Sequence, residues 1–516
     1  MKYFKKHLLL TVAALTLISF SSCNDLSVEN NNEPDQERAL SSPADIETLI
    51  QGTFRTFYFS SEGYYPNIAL STAADELSSS WGNFGMRDIS SEPRAPYDND
   101  PSYSHNNVAE TPYGNIYAAI STALDGLNAI ENGIVINDEA TTQRAKAFGQ
   151  FVIGASHALM GTLFDQGFLV TEVPDESTSF ELVPHETVFQ GGLDFMQSAI
   201  STAQSAPDFT IPNGWMGSRE FTKAEFIAVI KTYRAYYRSS MPRTPQERQN
   251  VDWQAVIDDI DGGFTEMNGG QTFKMVDTAQ EKWFSGFRYY GKNDGWIRVD
   301  LRTIGPADVT NAYQNWLSAN LSNRNPFDVT TNDRRITGDA GPQSDGKYIR
   351  YSGSAPFPES RGIYHYSSYT YSRNLTTYTG YQQGNSKWIF TGPTMRLLKA
   401  EALLQQDATG NKATVVSIIN ETRVDVGELS AATVADATGS MSDDQSALSD
   451  ASVWAKLKHE KRMESMGTAS GMAFFDKRGW GDLVSGTVLE IPIPGSELLI
   501  LQQPIYTTTV VGGGTD

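Results

Sequence analysis

The chain of 516 residues has one cysteine, Cys23, and that scarcity excludes two devices at once. No intrachain disulfide can form, and no cluster of cysteine thiolates can hold zinc. Histidine is nearly as scarce. Beyond His7 the chain carries His105, His157, His185, His365 and His459, without the spacing of a ligand set, so each reads as a surface or capped residue. The HExxH pair, the phosphate-binding P-loop and the glycine spacing of a dinucleotide fold are all missing. Positive charge is in deficit: 40 Lys+Arg against 61 Asp+Glu give a formal net charge of −21. A field of that sign repels phosphate backbones, which excludes nucleic acid as a partner and favours neutral or cationic ligands. After residue 20 no stretch approaches the about 18 consecutive apolar residues of a membrane span.

What is present starts at the N-terminus. "MKYFKK" supplies Lys2, Lys5 and Lys6, "HLLLTVAALTLISF" is an apolar core, and "SSC" closes it with small residues. This reads as a secretory signal over residues 1–22, too short to span a bilayer as a stable helix. Phe20-Ser21-Ser22-Cys23 resembles a bacterial lipobox, with Phe20 where leucine is usual. Cleavage before Cys23 would be followed by acylation of its sulfur and amine, and several acyl chains anchor stably where one does not. The polar "NDLSVENNNEPDQE" then reads as a tether, making residues 23–40 a lipidated linker.

The body is read as mainly α. In "SSPADIETLIQGTFRTFYF" Ser42 is placed to cap a helix, Pro43 lies in its first turn, and Ile46, Ile50, Phe54 and Phe57 recur at helical spacing. "YGNIYAAISTALDGLNAIENG" sets Ile116, Ile120, Leu124 and Leu127 on one face and stops at Gly133. A third helix carries Phe148, Phe151, Val152, Ala155, Leu159 and Leu163. Further helices are expected near 185–204, 222–239, 252–261, 394–406, 412–424 and 450–466. Short connections make them pairs, so the expected architecture is a layer of stacked helical hairpins.

Two stretches break the pattern, residues 59–112 and 268–392. Both are rich in Gly, Asn, Ser and aromatic residues, and "WIRVDL" and "KYIRYS" read as short strands. Loops of such length in a compact protein are usually functional or disordered, and the aromatic content here argues against disorder. The chain therefore divides into a helical region 41–267 with the aromatic loop 59–112, a Tyr/Trp-rich region 268–392, and a helical region with tail, 393–516.

Signals for catalysis are thin. "GASHA", Gly154 to Ala158, has part of a nucleophile elbow but lacks its second glycine and lies in a helical run, so it reads as core. No catalytic residue and no cofactor is expected. "YDNDPS" and "DDIDGG" space their acids as a calcium loop does, without its glycine and closing glutamate, which leaves calcium as the one metal in view. A glycosidase needs two carboxylates a few ångströms apart, and no motif marks such a pair.

Aromatics carry the positive signal. Trp81 stands in "SSSWGNFGMRD" beside Asn83, Phe84 and Arg87. "KWFSGFRYYGKNDGWIRVD" holds Trp283, Phe284, Phe287, Tyr289, Tyr290 and Trp296, and a following tyrosine run includes Tyr364, Tyr366 and Tyr369. Flat rings stack on the apolar C–H face of a pyranose while Asn and Arg bond its hydroxyls. The competing reading makes these rings core, and makes the tyrosine run a half-exposed strand. The expected site is a platform of Trp81, Trp283 and Trp296 assisted by Asn83 and Arg87.

At the C-terminus, "HEKRMESMGTASGMAFFDKRGWGDLVSGTVLEIPIPGSELLILQQPIY" (His459 to Tyr506) resembles the closing signature of the SusD/RagB family, outer-membrane lipoproteins of the Bacteroidetes. The matching residues are Glu460, Arg462, Glu464, Phe475-Asp476, Arg478, Gly479-Trp480-Gly481 and Ile491 to Leu498. Ser465 stands where leucine is expected, and the loop regions match nothing residue by residue. Glu460, Arg462, Asp476 and Arg478 read as paired charges that dock the last segment onto a helix layer. The resemblance implies tetratricopeptide-like helical hairpins in a right-handed superhelical scaffold, with long irregular loops and few short strands. It also implies a non-enzymatic, lipid-anchored surface protein that binds oligosaccharides, or in some relatives peptides, and passes them to a SusC-like TonB-dependent transporter in the outer membrane. A surface glycoside hydrolase and a lid without a ligand of its own are the remaining alternatives.

Overall fold

The structure is a computed structural model describing residues 42–174, 180–217, 219–263, 273–276, 283–291, 293–353, 357–373 and 386–512. Cys23, the signal and the tether lie outside the described residues, as does the end of the tyrosine run.

The described residues form seventeen helices and ten short strands, and the strands occur only as two-stranded antiparallel pairs. The fold is mainly α. Helix α1 (Pro43–Phe59) opens with Pro43 in its first turn and buries Ile46, Ile50, Phe54 and Phe57. Helix α2 (Asn67–Ala73) is buried on every side. Helix α3 (Asn107–Glu131) carries Pro112 and buries Ile116, Ile120, Leu124 and Leu127 as the spacing requires. Helix α4 (Glu139–Leu163) begins at a capping box in which Asp138 and Thr141 satisfy each other's backbone N–H groups. Helices α5 (His185–Ser205), α6 (Lys223–Ser240, boxed by Thr222 and Glu225) and α7 (Trp253–Asp261) follow. After α8 (Gly286–Gly291) come α9 (Gly392–Asp407), α10 (Lys412–Arg423), α11 (Val453–Ser465) and α12 (Met472–Trp480).

Neighbouring helices pack in pairs, α3 on α4, α4 on α5 and α9 on α10. The α4–α5 crossing is tight enough that a Cβ on Gly154 would lie 2.7 Å from the Gly192 carbonyl oxygen. Gly154 to Ala158 is therefore a buried helix crossing and not a nucleophile turn. Two expectations are corrected. The stretch 59–112 is less irregular than its composition implies, since it contains α2, a short helix Met86–Ser90 and the first turns of α3. The histidines are not all at the surface: His157, His365 and His459 are buried. His157 accepts from the Val170 N–H at 3.1 Å, and burial pushes its pKa down to about 4.

The C-terminal charges are buried with it. Arg335 grips Asp333 and Glu460 together (Nε–Oδ1 2.9 Å, Nη2–Oε1 2.9 Å), and His459 meets Asp333 at 2.8 Å. Arg248 bridges Glu401 at 2.7 Å and Asp476 at 2.8 Å, and Lys461 joins both acids. Glu460 and Asp476 are thus paired as expected. Arg462 and Arg478 have no carboxylate partner among the described residues: Arg462 donates to the Arg302 carbonyl at 2.5 Å, and Arg478 donates to carbonyls of Leu489 at 2.6 Å and Ser240 at 2.7 Å. Backbone carbonyls bind a guanidinium without neutralising it, and burial lowers the Arg478 pKa to about 9.

Candidate functional site

Two segments far apart in sequence are clamped by a minimal ladder. Leu77–Ser78 pairs antiparallel with Arg298–Val299, Leu77 opposite Val299 and Ser78 opposite Arg298. The chain leaving the first strand then runs beside the chain entering the second. Ser79 Oγ donates to the Trp296 carbonyl at 2.7 Å, and the Trp81 indole N–H donates to the Gly295 carbonyl at 3.3 Å. The two indoles come to rest with centroids 6.3 Å apart and planes tilted by 41°. Trp296 keeps 37% of its surface in water, and Trp81 is half-buried.

From Trp296 a row of rings continues. Tyr290 lies 5.7 Å from Trp296, Phe84 lies 4.9 Å from Tyr290, and Phe84 stacks on Tyr64 at 4.8 Å with an interplanar angle of 8°. Spacings of about 4.5–7 Å are those at which aromatic pairs attract. Phe84 reaches this position by adopting a left-handed backbone, φ 56° and ψ 25°, followed by Gly85 at φ 72°. Holding a bulky residue there costs roughly 1–3 kcal/mol, and such strain clusters at ligand sites. The other wall depends on Gly286, where a Cβ would lie 2.3 Å from the Gly63 carbonyl oxygen. That close approach sets α8 against the 63–65 turn and brings Phe284 to 4.7 Å from Tyr64.

Beneath the ladder lie two buried carboxylates, Glu76 and Asp300, and burial pushes both up to about 7. They underpin the loops and do not reach solvent. At the surface, the Arg361 guanidinium sits 5.6 Å over the Trp81 ring and has no ion pair among the described residues. Beyond Tyr64 the row opens into a groove of about 610 Å³.

Of the expected platform, Trp81 and Trp296 are brought together. Trp283 is not part of it. Only 1% of its surface is exposed, and it packs into the core 5.3 Å from Tyr58 and 6.1 Å from Phe54. Asn83 is exposed, and its amide is free among the described residues. Arg87 turns to Asp88 at 3.3 Å, whose other oxygen accepts from Tyr103, so Arg361 and not Arg87 is the cation at the indole. Sequence reasoning passed over Tyr64, Tyr65 and Arg361. The signal for the tyrosines was "EGYYPN", two rings between Gly63 and Pro66; nothing local marked Arg361. Among the described residues no three His, Cys, Asp or Glu side chains are grouped to hold a metal, and no helix is long and apolar enough to cross a membrane.

Fold and site define a helical-hairpin scaffold that presents a loop-built aromatic face. No protein-family model matches the sequence, and no curated protein matches it. Solved structures do. A SusD superfamily protein from Bacteroides vulgatus is 12% identical, with 92% of this chain and 100% of that one covered at a TM-score of 0.58. A SusD superfamily protein from Bacteroides thetaiotaomicron is 15% identical, with 92% and 98% covered at 0.55. A SusD-like protein from Bacteroides fragilis is 13% identical, with 87% and 88% covered at 0.54. The chain has the SusD-like fold.

Proposed function

We propose that this protein is a surface glycan-binding lipoprotein without catalytic activity, anchored through Cys23 to the outer membrane. It captures oligosaccharides on the Trp81–Trp296 pair and passes them to a SusC-like transporter barrel. The observation that carries this reading is the pair itself: two tryptophans from loops more than 200 residues apart, hydrogen-bonded into place and left partly in water. Half-exposed, preorganised indoles suit the apolar face of a pyranose, and the Asn83 amide, free among the described residues, and the Arg361 guanidinium suit its hydroxyls. Affinity is modest, because hydroxyls must give up water for each bond that they make.

The test is native electrophoresis of the mature protein through gels holding a panel of polysaccharides, beside calorimetry with a mixed peptide pool and an assay for new reducing ends. The reading requires retardation by at least one polysaccharide, no heat from the peptides and no new reducing ends. Heat from peptides alone would make the protein a peptide binder, and release of reducing ends would make it a hydrolase.

A further inference from the structure

The groove beyond Tyr64 differs in chemistry from the tryptophan pair. Its walls include Arg55, Phe59, Tyr64, Tyr65, Thr111 and Asn115, from the end of α1, the 63–65 turn and the start of α3. Its volume of about 610 Å³ falls within the about 300–1,000 Å³ of small-ligand sites. The lining holds one guanidinium and no carboxylate. Arg55 is exposed, lies 5.6 Å over the Phe59 ring, and has no ion pair among the described residues. The acid next to Thr111, Glu110, is engaged by Ser496 Oγ at 2.7 Å. The Asn115 amide has no partner among the described residues.

The net charge of −21 does not govern this spot. At physiological salt, exposed charges more than about 8 Å apart are largely screened, so an unpaired guanidinium sets the local sign. Tyr64 belongs both to the groove and to the ring row, and the row leads through Phe84 and Tyr290 to Trp296. A chain of several sugar units laid along that row has its far end in the groove.

We propose that the groove is a second subsite for the same glycan, taking a uronic acid unit whose carboxylate is bound by Arg55. Guanidinium matches carboxylate with two parallel hydrogen bonds, and its position over Phe59 holds it ready. Tyr65 and Tyr64 supply ring faces, and Asn115 supplies a donor and an acceptor for hydroxyls. The proposal rests on the glycan-binding reading and narrows its ligand class, against the preference for uncharged ligands that overall composition suggests.

The experiment uses polygalacturonate, alginate and glucuronoxylan, each beside a copy whose carboxylates have been reduced to primary alcohols. Affinity electrophoresis of the mature protein should show at least one native polymer binding about tenfold more tightly than its reduced copy, with the preference shrinking as salt is raised. Arg55→Gln, checked for unchanged circular dichroism, should bind the native polymer only as tightly as wild type binds the reduced one. Equal binding of native and reduced polymers by wild type, or an Arg55→Gln variant that keeps the preference, overturns the subsite and leaves the glycan reading standing. If neither these polymers nor any neutral polysaccharide retards the protein, both readings fall.

Discussion

In the layer of α9, α11 and α12, charged side chains are buried, and the carboxylates Glu401, Glu460 and Asp476 are paired there; along the ring row from Trp81 to Tyr64, apolar side chains are left half in water. Each region inverts the ordinary partition of residues, and the two inversions have different causes. Arg335, Glu460, Arg248 and Glu401 are sealed from solvent, each held by at least one opposite charge. Such pairs add little net stability over an apolar core, but breaking one strands its partner. The ring row has no such internal accounting. Its rings touch one another and leave a surface open to water.

The contrast is sharpened by substitution, starting from the largest effect on stability. Glu460→Ala takes from Arg335 one of its two carboxylate partners and from Thr422 its carboxylate acceptor, and urea unfolding should show a loss of about 3–5 kcal/mol. A loss below about 1 kcal/mol would mean that the buried charges are not interdependent. Trp283→Ala opens a cavity beside Phe54 and Tyr58 and should also cost about 3–5 kcal/mol, while the folded fraction keeps its full affinity for a retarding polysaccharide. An affinity loss there would return Trp283 to the platform. Gly286→Ala forces α8 off the Gly63 carbonyl. It should cost roughly 1–3 kcal/mol and weaken binding as well, because Tyr64 and Phe284 move with it.

A smaller effect separates the ladder's foundation from the ladder. Burial holds the Glu76 carboxyl at about 7 in the folded chain, against 4.5 when free. The stability tied to its proton is complete below the free value and is lost as pH rises through about 7. Glu76→Gln is neutral throughout, so its melting temperature relative to wild type should climb between about pH 5 and pH 8. A difference that stays flat across that range would show that Glu76 is ionised in the fold at both ends.

Much of the scaffold was legible because its signals are local. The period of Ile46, Ile50, Phe54 and Phe57 fixes the buried face of α1 within one helix. Helix α2 was invisible for the opposite reason: with all of "NIALSTA" buried, it has no polar face and therefore no stripe to detect. The platform was half legible. Loops rich in Gly, Asn and Trp announce themselves, but the meeting of Trp81 with Trp296 depends on a ladder that pairs residues 77–78 with 298–299. Trp283 and Trp296 share one aromatic stretch and similar neighbours. Only the docking of α8 turns the first into the core and leaves the second outside. Arg478 escaped for a related reason, since its carbonyl acceptors on Thr162 and Ser240 come from other hairpins.

The smallest change in stability should accompany the largest change in binding. Trp81→Ala with Trp296→Ala removes the two half-exposed indoles, and calorimetry with an oligosaccharide that wild type binds is the direct measure of what they do. The binding heat should disappear while the melting transition stays within a few degrees of wild type; undiminished heat in the double variant would show that the two indoles do not hold the ligand.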